Sequence, residues 1–151
     1  MLNHPFRTAA VTAALVLIPA ASASAKTETL RFFSKVDKLQ LTHADGTVVD
    51  NPTGPPVAGD RLEVFASDFA GDHKKHAKTS TASEHTVCIF GSSPEPDCTT
   101  HVALGGSLLI FDGDSLIGGS GKYLNATGKV ISNKTVGDSN DSDIVAKIKV
   151  R

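Results

Sequence analysis

The segment 115–130, Ser-Leu-Ile-Gly-Gly-Ser-Gly-Lys-Tyr-Leu-Asn-Ala-Thr-Gly-Lys-Val, constrains the fold of this chain more than any other. Its apolar ends read as two strands of a glycine-punctuated hairpin. Gly118, Gly119 and Gly121 mark a stretch that needs positive φ or close backbone approach, and Gly128 interrupts the next strand as at a bulge or barrel corner.

Elsewhere after the first 25 residues, helical periodicity is hard to find. Short runs of β-branched and aromatic residues instead alternate with Gly, Pro, Asn and Asp clusters, so this part reads as all-β. Candidate strands cover residues 28–39, 60–69, 79–90, 98–104, 107–111, 115–118, 123–133 and 143–151. The last alternates most clearly, with Ile144, Ala146, Ile148 and Val150 on one face and Lys147, Lys149 and Arg151 on the other. Along 60–69, Leu62, Val64, Ala66 and Asp68 oppose Arg61, Glu63, Phe65, Ser67 and Phe69, and both mixed faces suit a barrel wall with a partly polar lining. The segment 43–59, with Pro52, Pro55 and Pro56, reads as a long loop, and 72–76 as a charged turn.

The N-terminus reads as a secretory signal peptide over residues 1–25: Arg7, an apolar run over 9–18, then Ala23-Ser24-Ala25 as the cleavage site. Residues 26–151 are then one domain of a secreted, extracytoplasmic protein. The apolar run falls short of the roughly 20 residues of a membrane span, so no stable membrane insertion is expected. Loss of Arg7 takes the formal charge from −1 to −2, a balance without the clustered basic face that nucleic-acid binding requires. The only two cysteines, Cys88 and Cys98, flank a Gly-, Ser- and Pro-containing turn and are expected to form a disulfide in an oxidising compartment. Two cysteines do not make a zinc site, and Asp72, His73 and His76 lack an obvious fourth ligand, so no metal is expected.

Residues 116–123 (Leu-Ile-Gly-Gly-Ser-Gly-Lys-Tyr) with Ala126 and Gly128 resemble the glycine-rich pattern of the allene oxide cyclase barrel superfamily, which includes the dirigent proteins. Gly59-Asp60 with Phe65 and Ser67-Asp68 is similar to that superfamily's second strand. Segments 83–88 and 97–99 resemble the cysteine-bearing strands of its secreted bacterial members. The resemblance implies an eight-stranded antiparallel β-barrel with a central cavity, and a trimer by analogy with plant members. Those plant members carry an acid on the first strand, where the nearest positions here are Lys35 and Asp37.

Glu84 and Asp68 are the candidate catalytic residues, because a carboxyl group inside an apolar barrel can exchange a proton near neutral pH. Glu84 and His85 are adjacent and must face opposite ways, and Glu84 is the preferred inward one. Phe33, Phe65, His85, Tyr123 and Arg61 are candidate ligand-binding residues. The expected function is binding of a small hydrophobic molecule, extending to a cofactor-independent, non-redox cyclisation or stereoselective coupling. The alternative is a non-catalytic extracellular carrier or interaction module with a filled barrel.

Overall fold

A computed structural model describes residues 25–151, and the expected signal peptide, apart from its last residue Ala25, lies outside the described residues. The described chain is all-β, with ten strands and no α-helix. Eight strands close an antiparallel barrel: β1 (Lys26–Thr42), β3 (Arg61–Asp72), β5 (Ala82–Ile89), β6 (Asp97–Leu104), β7 (Ser107–Asp112), β8 (Ser115–Ser120), β9 (Thr127–Thr135) and β10 (Ser142–Val150). Each pairs with its neighbours in chain order, and β1 closes the ring by pairing with both β3 and β10. The short β2 (Val48–Asp50) folds back on the end of β1, and β4 (Lys75–His76) on the end of β3. The supposed long loop 43–59 therefore begins with a hairpin, reversed where the His43 amide reaches the Thr47 carbonyl.

Alternation decides what lies inside. Phe32, Ser34, Ala66, Asp68, Ala82, Val102, Leu109, Phe111, Ala146 and Ile148 are all buried, on the face of their strand that looks into the barrel. Lys147 and Lys149 remain exposed on the outer face of β10. Three single-residue bulges shift the register, at Asp37 of β1, Ile117 of β8 and Ile131 of β9. The two bulged isoleucines point outward, at 62% and 44% exposure.

One barrel end is packed solid. A 3₁₀ turn, Gly121–Tyr123, replaces the expected start of a strand at Tyr123. Gly121 (φ +58) and Asn125 (φ 58) turn the chain at each side of it, and Tyr123 is only 2% exposed in the core. The 3₁₀ turn and the residues after it fill the gap beside β8, which pairs with β9 only through Ser115 and Leu116. The β5 strand also begins later than expected, at Ala82 rather than residue 79.

The glycines of this hairpin divide by steric need. A Cβ on Gly119 would lie 2.6 Å from the Tyr123 carbonyl oxygen, and one on Gly128 would lie 2.3 Å from that of Lys147. Gly128 marks a close backbone approach rather than a bulge, and Gly118 meets only ordinary contact with Ile110, so the expectation of special geometry fails there. Gly128→Ala should therefore lower stability by more than about 2 kcal/mol, as overpacking against backbone does, while Gly118→Ala stays within about 1 kcal/mol. Urea melts of the two variants beside the parent check this contrast.

Candidate functional site

The barrel interior is the candidate site. Its inner chamber, about 90 Å³, is walled by Leu30, Phe32, Val102, Leu109, Phe111 and Ala146, with Asp68 and Glu84 set into that apolar wall. A wider mouth of about 360 Å³ continues from it, and Glu84, Thr100, Gly113, Asn133 and Ile144 line both. Asp68 thus sits deep, and Glu84 stands where the two chambers meet.

Register explains the placement of both acids. Ser34 of β1 lies opposite Asp68 of β3, and Ala66 of β3 lies opposite Glu84 of β5, so the carboxyl groups are diagonal neighbours on one face. Glu84 is held by a hydroxyl network. Ser34 Oγ donates to its Oε2 at 3.4 Å, Thr86 Oγ1 to its Oε1 at 3.0 Å, and Thr86 is linked to Thr100 at 2.8 Å. Asp68 is 1% exposed, and its Oδ1 has no hydrogen-bond partner among the described residues. Burial pushes the Asp68 carboxyl up to about 7, helped by the Glu84 charge and, more weakly, that of Asp37, with Ser34 opposing. Burial also raises Glu84, against the hydrogen bonds from Thr86 and Ser34. The site therefore holds a carboxyl group that can give or take a proton at neutral pH.

Four of the sequence-selected ligand-binding residues lie outside this lumen. Arg61 and Phe65 alternate with Leu62, Val64, Ala66 and Asp68, so they stand on the outer wall. Arg61 makes two 3.0 Å hydrogen bonds to Glu63. His85 lies 3.2 Å from Glu63 and stacks on Phe65, ring centroids 4.4 Å apart. Phe65 and His85 border an outer groove with His101 and Leu108. Phe33 packs outside against Phe69 and His76. Tyr123 is inside but part of the packed end, lining neither chamber. Lys35 is exposed, and Asp37 accepts a 2.6 Å hydrogen bond from Ser67 outside the barrel, so neither supplies an acid to the lumen.

At the mouth, Cys88 and Cys98 are paired across β5 and β6 with Cα atoms 4.1 Å apart. This disulfide is consistent with an extracellular protein. In the chain-entropy account so short a loop adds roughly 2–3 kcal/mol. The residues of the charged turn are directed to separate partners: Asp72 accepts from the Lys74 and Lys75 amides, His73 pairs with Asp143, and His76 faces the Ala77 carbonyl.

A second buried acid escaped the sequence reading. Asp60 is 1% exposed just before β3. It accepts from the Val57 amide at 2.9 Å and lies 3.1 Å from His43 Nδ1, tying the proline-rich loop to the barrel. The Val57 hydrogen bond, with His43 assisting, holds its carboxyl below the usual range. Gly59-Asp60 at a strand start was the available signal, but no spacing rule announces a partner at His43.

Compared with protein-family models, curated proteins and solved structures, the chain matches none of them.

The raised Asp68 carboxyl has a thermodynamic consequence with a definite sign. Between 3.8 and about 7 the folded state binds the extra proton, so this residue makes stability fall as pH rises through that window. The loss is on the order of 4 kcal/mol when complete. Asp68→Asn should remove this slope and leave the variant more stable than the parent at about pH 8, which urea unfolding across the pH window measures directly.

Proposed function

We propose that this protein is a secreted, allene oxide cyclase- or dirigent-like barrel that binds a small, mostly apolar molecule in its lumen and guides a non-redox cyclisation or coupling there. The reading rests on one observation: Asp68, whose buried Oδ1 has no hydrogen-bond partner among the described residues, lines a mostly apolar cavity in the barrel. Native proteins pair buried polar atoms, because an orphan costs about 1–3 kcal/mol. A ligand's polar head supplies the missing partner.

In this mechanism the apolar wall holds the ligand body in one orientation, and the acids act on its head. Asp68 gives or takes a proton near neutral pH, while Glu84, fixed by Ser34 and Thr86, stabilises positive charge that develops beside it. The acid that plant members of the resembled superfamily carry on the first strand is here supplied by β3, directly across from Ser34. The narrowness of the inner chamber, about 90 Å³, favours a second reading, a non-catalytic carrier or interaction module.

Native mass spectrometry of protein secreted into its own culture medium separates the two. A small molecule should co-purify with the parent and be lost from Ala146→Phe, which fills the inner chamber, with Asp68→Asn as a second variant that spares the packing. If the folded parent carries nothing, or if cargo survives in both variants, the lumen is not the binding site. Where cargo is found and turned over, turnover unchanged in an Asp68→Asn/Glu84→Gln double variant would remove these residues from the chemistry.

A further inference from the structure

We infer that the lumen selects a cationic ligand, an amine carrying a small apolar body, with its ammonium group seated at Asp68 and Glu84. This rests on the lumen-binding reading above and narrows its chemical class.

The charge of the lining carries the argument. Three carboxyl groups, Asp68, Glu84 and Asp114, line the two chambers, and no Lys, Arg or His does so among the described residues. The nearby cations are engaged elsewhere. Arg61 is bound to Glu63 on the outer wall, Lys38 to Asp50, and Lys122 to Glu28 at 2.7 Å. The groups facing Asp68 from its neighbours are the Ser34 hydroxyl of β1 and Glu84 of β5, while Asp37 of β1 acts on it only weakly, from outside the barrel. The far wall contributes the neutral Thr100 and Asn133, the acid Asp114, and otherwise apolar side chains such as Val102, Leu109 and Phe111. Among the described residues the acids thus have no positive partner, in surroundings where like charges repel strongly.

The hydrogen-bonding inventory points the same way. An ionised carboxylate only accepts, and Asp68 Oδ1 is the atom left without a donor. An alcohol offers one proton, whereas an ammonium offers three donors and a charge that relieves both the desolvation and the mutual repulsion of the pair. A carboxylate ligand would add a further negative charge and is rejected. Binding of a cation favours the ionised acids, so it expels a proton from Asp68 at neutral pH, and affinity falls as the medium becomes acidic.

Butylamine, 1-butanol and butyrate share one apolar chain and differ in the head, so they serve as probes. Each is titrated into the methyl-labelled protein while the Val102, Leu109 and Ile144 methyl resonances are followed by NMR. At about pH 8, butylamine should bind at least about tenfold more tightly than 1-butanol, as a charge-assisted bond exceeds a neutral one, and butyrate should not bind. At about pH 5.5 the amine's advantage should shrink severalfold. Asp68→Asn should abolish the advantage while retaining 1-butanol binding, and Glu84→Gln should reduce it. Equal affinity for amine and alcohol, or binding of butyrate, would overturn the cation inference and leave the lumen-binding reading standing. No response of these lumen methyls to any of the three would overturn both.

Discussion

The structure depends on the two-sided hydrogen bonding of β1. Its first half pairs with β10 through residues 26–34, its second with β3 through residues 32–42, and around residues 32–34 it bonds to both of these strands. That overlap closes the barrel. It also places Ser34 opposite Asp68, at the point where the sheet meets itself. The Asp37 bulge follows at once and changes which side chains face inward, so Leu39 and Leu41 continue the inner row that Ser34 and Val36 began. Closure and the polarity of the lumen are consequences of the same register.

Inside that ring, two kinds of polar group behave differently. Thr86, Thr100 and Ser34 are mutually satisfied through Glu84 and cost the fold little. Asp68 is unsatisfied and lowers stability once ionised, so it contributes nothing to folding that an apolar side chain of its size would not improve. Asp60 is the useful contrast. It is equally buried, but a backbone amide and a histidine receive it, and its ionised form supports the loop it anchors. Two aspartates, one just before β3 and one within it, thus have opposite thermodynamic signs, set by their partners.

Much of this was legible in the sequence. The period-two pattern of β3 already placed Asp68 with Leu62, Val64 and Ala66, and away from Arg61 and Phe65. The same rule separated Glu84 from His85. Selecting Arg61, Phe65 and His85 as cavity residues followed their chemistry against that alternation, and the alternation prevailed because a closed barrel has one inside. The bulges at Asp37, Ile117 and Ile131 were not legible, since a one-residue slip leaves no mark in composition. Tyr123 read as a strand residue because an aromatic beside a β-like run carries no record of the left-handed backbone at Gly121 and Asn125 that turns the chain there. The Asp60–His43 contact spans a loop whose path local propensity does not determine.

The shortest pairing in the barrel lies between β8 and β9. Beyond Ser115 and Leu116, the segment Gly118–Ser120 is bonded to β7 alone, and the chain at 121–126 covers its other side. Such a line has fewer bonds to break than any other junction around the ring, so the barrel has a preferred direction of opening. A wall that parts there exposes the packed Tyr123 end first, while the disulfide across β5 and β6 keeps the opposite wall of the mouth intact.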